Sequence, residues 1–206
     1  MMATKARRTT KKRVPEKPLT RLRRSFIEAR QLFQHFQSGR MRARGPDMEL
    51  TGEAAKRLEQ LEWIAGRLYR IQAAQRRLYL RGPRRPSSHP RWAKHQHLAG
   101  KEVELLTEAF YYFAWRFRQI LKQDLKGAFS NFSPAGIRVV RNQLIEHPTT
   151  ALASNFLYGA DAQEGPRIKP FGTPNGGTRD RGLYVNAQEM LDALIPRLRR
   201  QLEGGA

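Results

Sequence analysis

Between Leu22 and Phe36 the apolar side chains recur at spacings of four and three: Leu22, Phe26, Ala29, Phe33, Phe36. Only a helix of 3.6 residues per turn gathers those positions onto one stripe. Residues 19 to 38 are therefore expected to be helical, with one face buried. The stretch "SGRMRARGPD" breaks that pattern with Gly39, Gly45 and Pro46. A second helix opens after Thr51, a suitable N-cap, and carries Leu58, Leu61, Ile64, Leu68, Ile71 and Leu78 on one side. A third runs from about Lys101 to Leu125, with Val103, Leu106, Phe110, Phe113, Phe117 and Ile120 as its main stripe. Tyr111, Tyr112, Ala114 and Trp115 widen that stripe, as expected of a helix central to a bundle or shared with a second chain. A fourth begins at "FSPAGIRVV", with Ser133 as N-cap and Pro134 at the first helical position. Pro148 ends it, because a residue before proline is pushed out of the helical region.

The connections are less regular. Residues 81 to 100, "RGPRRPSSHPRWAKHQHLAG", read as a Pro/Arg-rich linker without an element of its own. Within 148 to 185, "GPRIKPFGTPNGGTRDRGLYV" predicts a small β-hairpin turning at Asn175-Gly176, with arms near Ile168–Phe171 and Leu183–Val185. A last helix starts with Asn186 as cap and Glu189 three residues on, a capping-box spacing. Met190, Leu191, Leu194, Ile195 and Leu198 form its apolar side, and Pro196 is expected to kink it. The expected fold is all-α: an antiparallel helical bundle with a β-hairpin appendage and a C-terminal helix. Residues 1–18 are expected to be a disordered basic arm, 19–150 the bundle, and 151–206 the hairpin and final helix packed on it.

Charge narrows the partners. The 206 residues hold 39 Lys+Arg against 18 Asp+Glu, a formal net charge of +21. An excess of that size favours a polyanion, because each neutralised phosphate releases condensed counterions. Anionic lipid would instead call for an amphipathic basic surface helix, which the pattern lacks. No apolar run is long enough to cross a membrane, and the basic N-terminal stretch lacks the apolar core of a secretory signal. A cytoplasmic location is expected. There is no cysteine, which excludes disulfides, thiolate metal sites and cysteine nucleophiles.

One segment breaks the bundle pattern: "RNQLIEHP", Arg141 to Pro148. With Ile137 at zero and about 100° per residue, Val140 falls near 300°, Leu144 near 340° and Ile145 near 80°. Arg141 lands near 40°, inside the apolar arc, and His147 lies near 280°, at its edge, on that roughly 100°-per-residue wheel. A charge centred on a core-facing stripe is uncommon unless it is paired or functional. Glu28, Glu102 and Glu104 are the carboxylates with which Arg141 would pair in a purely structural role. His147 would then be an ordinary residue at a helix C-terminus, favoured there by the dipole.

An Arg, a following Asn, four more residues and a His resemble the Rx4–6H signature of the HEPN superfamily, which sits late in a helical bundle. The resemblance covers about residues 19 to 150. It implies an up-and-down α-helical bundle, usually a homodimer, with the motifs of both subunits lining one cleft. Many members are metal-independent endoribonucleases, some in toxin or phage-defence systems with an antitoxin or regulatory partner. Others bind RNA or partners without cleaving. The resemblance implies Arg141, Asn142 and His147 as site residues, and no cofactor or metal. Toxin members commonly carry a Tyr two residues after the His as a modification target; Thr149 stands there in this chain, so that route is not carried over.

The residue types suit the chemistry. A His that titrates near neutrality can move the proton of an attacking 2′-OH. A guanidinium stabilises the charge that develops on the phosphoryl oxygens. Asn142 would orient His147 or hold a phosphate oxygen. One chain supplies one such His, so a two-fold dimer offering both acid and base is expected, with the broad face of the third helix as its interface.

Further candidates lie outside the motif's reacting set. Arg138, Arg167, Lys169, Arg179 and Arg181 are candidate phosphate contacts, although an edge strand often carries such charges simply for solvation. Trp92 would stack on an unpaired base or cap the end of the bundle. His89, His95 and His97 have no accompanying acid and stand among Arg91 and Lys94, which disfavours a bound cation. "TPNGGTRDRG" lacks the Gly-Lys-Ser/Thr ending of a phosphate-binding loop. Glu53 belongs to a first helical turn, and Glu59 and Glu62 to a solvated face. The alternative to an RNA-cleaving enzyme is a bundle that binds nucleic acid or a partner without cleaving.

Overall fold

The computed structural model describes residues 17–42, 48–81, 90–125, 129, 131–141, 163–167 and 182–203. These are mostly helical: α1 (Pro18–Arg42), α2 (Met48–Arg81), α3 (Pro90–Gln119), a π-helical turn (Ile120–Asp124), α4 (Ala135–Arg141) and α5 (Leu183–Glu203). The apolar repeats do what their spacing requires. Leu22, Phe26, Ala29, Phe33 and Phe36 of α1 are buried against Leu58, Leu61, Ile64 and Leu68 of α2 and Phe110 and Phe117 of α3, in one core. Leu78 alone of the α2 stripe is exposed, because it lies beyond the reach of that core.

Cross-helix pairs fix the directions. Arg30 pairs with Glu62 at 3.6 Å, and Gly52 lies against Gln37, so α1 and α2 are antiparallel. Arg67 pairs with Glu102 at 2.7 Å and Gln75 bonds Gln96 at 3.4 Å, so α2 and α3 are antiparallel too. α5 packs along α1 differently. Arg21 pairs with Asp192 at 2.7 Å, and Glu28 pairs with Arg199, seven residues further along both helices. That step is the register of two helices running the same way. The bundle is therefore antiparallel from α1 to α3 and closed by a helix parallel to α1.

Four boundaries differ from the sequence expectation. α1 continues through Gly39 to Arg42 instead of ending near residue 38. α3 begins at Pro90, so the expected linker is helical from Pro90 to Gly100. Pro90 opens the helix because its missing N–H and fixed φ cost nothing in a first turn. α2 begins at Met48, with Glu49 in its first turn, and Thr51 is buried inside the helix rather than capping it. The last difference concerns the hairpin. Its second arm, Leu183–Val185, is the first turn of α5, and no strand occurs among the described residues. Its first arm and its Asn175-Gly176 turn lie outside them.

The start of α5 shows why a helix wins there. The carbonyls of Pro166 and Glu164 accept the N–H groups of Leu183 and Tyr184, each at 2.9 Å. The carbonyl of Gly182 accepts from Val185 and Asn186 at 3.1 Å. Three donors that a helix N-terminus leaves without i−4 partners, those of Leu183, Tyr184 and Val185, are thus satisfied, and the Asn186 N–H makes the first i−4 bond of the helix. A Cβ on Gly182 would run into the Glu164 carbonyl oxygen, so the two segments meet this closely only at glycine. The cap is consequently the backbone at Gly182, not Asn186. From Gly182 the helix continues through Pro196 to Glu203.

Tyr184 is sealed beneath this seam and donates to Gln72 Oε1 at 2.7 Å. Burial pushes its phenol above the ordinary value, and nearby Tyr69 adds to the rise. A folded value raised above the unfolded one, about 10, means the contribution is complete below that pH and is lost as pH climbs past it. Tyr184→Phe is expected to cost about 1 kcal/mol at pH 7. The gap to wild type should narrow in urea unfolding above about pH 10. A gap that stayed constant with pH would contradict this role.

Candidate functional site

The fragment carrying the motif is built from its N-terminal side. Phe129 and Phe132 are buried, and the N–H of Phe132 donates to the Phe129 carbonyl at 2.8 Å, turning the chain toward α4. Pro134 then supplies a pre-set φ, and its carbonyl accepts the first helical bond, from Arg138 N–H at 3.3 Å. Arg118 of α3 donates to Ser133 Oγ at 3.2 Å, tying the start of α4 to α3. Ile137 and Val140 are buried and face the core.

The closest approach to α5 is at Gly136. A Cβ there would overlap Asn186 Oδ1 and lie 2.7 Å from Asn186 Cγ. Asn186 is itself buried, and its Nδ2 donates to Tyr111 Oη at 2.7 Å. The Tyr111 ring is buried and lies edge-on to Phe110, their centroids 5.7 Å apart. Gly136, Asn186 and Tyr111 thus join α4, α5 and α3 in one buried seam. A hydrogen-bonded amide in an otherwise apolar interface fixes register, since any slip would leave polar groups buried without partners. No apolar periodicity reveals this seam. Its sequence signals are an Asn in the apolar run "LYVNAQEML" and a Gly just after the helix start at Pro134.

The expected site residues are distributed as follows. Arg141 is the last described residue of α4. Asn142 and His147 lie outside the described residues, as do Lys169, Arg179 and Arg181. Arg138 is exposed on α4, about one turn before Arg141. Trp92 belongs to the first turn of α3, not to a loop. Arg167 is half-buried and pairs with Glu164 three residues earlier. Two of the carboxylates that would have served Arg141 in a structural role are engaged elsewhere: Glu28 with Arg199 and Glu102 with Arg67. Glu53 lies beyond the first turn, because α2 begins at Met48, and pairs with Arg57 at 2.5 Å; Glu62 pairs with Arg30. His95 and His97 are exposed, and the described residues contain no group of three metal-ligating side chains. No helix among them is long and apolar enough to cross a membrane. Set against family models, curated proteins and solved structures, the chain matches none.

Proposed function

We propose that the chain is a metal-independent endoribonuclease of HEPN type, with Arg141, Asn142 and His147 as its reacting set. The observation that carries this reading is the RNQLIEH motif, whose first residue, Arg141, belongs to α4, a helix whose approach is fixed by the Gly136–Asn186–Tyr111 seam. The motif begins on the last described turn of α4. The bundle that holds it is mostly helical among the described residues, the context expected for such a motif.

In the reaction, His147 takes the proton from a 2′-OH, whose oxygen attacks the adjacent phosphorus. The P–O5′ bond breaks, and the leaving oxygen receives a proton from a second acid, His147 of a second copy. The products are a 2′,3′-cyclic phosphate and a 5′-hydroxyl. Arg141 supplies fixed donors to the phosphoryl oxygens as their charge grows, and Asn142 holds the imidazole or a phosphate oxygen. Two copies meet through the C-terminal half of α3, where Tyr112 is half exposed and Arg118 ties the helix to the start of α4. A role in a toxin or phage-defence system, regulated by a partner protein, fits a nuclease of this kind. Location in the cytoplasm fits an RNA substrate.

His147→Ala is expected to lower the cleavage rate by about 10²–10⁴-fold, the usual contribution of a positioned proton-transfer group. RNA binding should change by less than about twofold, because one histidine adds little to the phosphate attraction of a chain with 39 Lys+Arg. End-labelled RNA and gel electrophoresis measure the first, fluorescence anisotropy the second. A variant that cleaves at the wild-type rate would remove His147 from the reaction. A protein that binds RNA, dimerises and never cleaves would be the non-catalytic binding bundle instead.

A further inference from the structure

From Trp63 to Lys101 the chain contains ten lysines and arginines and no aspartate or glutamate. This stretch forms the C-terminal half of α2 and the N-terminal part of α3, with their connection. The rungs Arg67–Glu102 and Gln75–Gln96 set the register of the two antiparallel helices. In that register Arg70 stands opposite Lys101, and Arg77 opposite Lys94. Each pair is seven residues from the next on its own helix, about 10.5 Å at 1.5 Å per residue. All four side chains are exposed, and among the described residues none pairs with a carboxylate.

Helical register also settles which way they face. Positions seven apart lie on one side of a helix, so Trp63, Arg70 and Arg77 form a single ridge on α2. Lys94, Leu98 and Lys101 form its counterpart on α3. The buried residues of both helices point the other way, into the core. Leu98, 53% exposed, lies between Lys94 and Lys101, and Trp63, 59% exposed, lies two turns before Arg70 on the same ridge. An exposed indole presents a flat π-face on which another ring can stack.

We infer that the outer face of the α2–α3 hairpin is a second, non-catalytic site for single-stranded RNA. Arg70, Arg77, Lys94 and Lys101 take phosphates, and the Trp63 ring takes the face of an unpaired base. A cationic array alone would accept any polyanion; the exposed indole next to it is the feature of single-strand binders, because every base has a π-face. The surface ends where the sign changes, at the exposed carboxylates Glu59, Glu104 and Glu108. In the same register Trp63 stands opposite Glu108, three residues from Tyr111 on α3, so this end of the site is level with the α4 seam but on the outer face, whereas Tyr111 is buried in the core. The inference rests on the proposed function only for the choice of RNA over DNA.

The test uses the full-length chain and a 2′-O-methyl oligonucleotide of roughly 20 nucleotides, long enough to span ordinary single-strand sites. That probe has no 2′-OH to attack, so binding is read whether or not the chain cleaves. Wild type is compared with the Arg70→Gln/Arg77→Gln/Lys94→Gln/Lys101→Gln variant and with Trp63→Ala, all checked for helix content by circular dichroism. The quadruple variant is expected to bind more than about tenfold more weakly at about 0.15 M salt. Its log–log salt slope should fall by about 3, at about 0.7 for each phosphate the variant leaves unneutralised. Trp63→Ala should weaken the single strand by about tenfold and a blunt duplex hardly at all. Unchanged affinity and slope in a folded quadruple variant overturn the site. So does a variant that loses binding to anionic phosphatidylserine vesicles while keeping its RNA affinity. Equal weakening of single strand and duplex by Trp63→Ala overturns the stacking role.

Discussion

Phe117→Ala is expected to destabilise the bundle by about 3–5 kcal/mol, the range for emptying an aromatic site in a closed core. Phe117 is fully buried near the C-terminal end of α3. Its ring lies 6.2 Å from Phe33 of α1 and 6.3 Å, edge-on, from Phe132 in the segment leading to α4. Phe33 in turn lies edge-on to Phe36 at 5.8 Å, and Phe36 to Phe129 at 5.9 Å. One ring therefore holds α1, α3 and the approach to α4 together. The walls of the cavity left by its removal belong to three segments, so no single shift can close it. Urea unfolding measures the effect through the midpoint. A destabilisation below about 1 kcal/mol would mean that this end of the core is loosely packed.

Gly136→Ala has a smaller cost in stability and a larger one in function. The added methyl would overlap Asn186, whose amide is already committed to Tyr111. Either Asn186 gives up that bond or α4 moves away from α5. Overpacking of this kind costs about 1–3 kcal/mol. If α4 moves, Arg141 moves with it, and a shift near 1 Å in a reacting group costs on the order of 10²-fold in rate. Cleavage by Gly136→Ala should thus fall about a hundredfold while the fold is retained. Adding Asn186→Ala removes the overlap. The double variant should be destabilised by less than the sum of the two single effects, as expected for neighbouring residues. Strict additivity would show that the two positions do not meet in the folded protein.

Much of the fold is legible because burial leaves a periodic trace. The stripes of α1, α3 and α5 are all apparent from spacing, and their members Phe26, Phe33, Phe110, Leu191 and Leu198 are buried. What leaves no trace is structure held by other means. Residues 93 to 98 at the start of α3 are mostly exposed and meet α2 through Gln75 and Gln96, so that helix start carries no apolar stripe to find. Leu183–Val185 looks like a strand because three apolar residues in succession fit a buried strand as well as a buried helix turn. Neighbouring backbone carbonyls at Glu164 and Pro166 decide between them. Asn186 looks like a cap because caps and buried interface amides use the same residue type. Its true partner, Tyr111, is 75 residues away.

The site is legible in part. The arginine of the motif stands out because it interrupts an apolar face, and α4 does carry buried Ile137 and Val140 ahead of it. The seam that positions α4 requires knowing which helices touch. The same holds for the hairpin cations: each is an ordinary surface residue in the sequence, and only the α2–α3 register brings Arg70 to Lys101 and Arg77 to Lys94.

The most direct measurement is incubation of the purified full-length chain with mixed RNA in excess EDTA, beside His147→Ala, with identification of the fragment ends. Cleavage by the wild type alone, leaving 2′,3′-cyclic phosphates and 5′-hydroxyls, is the expected result. Cleavage that stops in EDTA and returns with a divalent ion, or that persists at the same rate in His147→Ala, would contradict it.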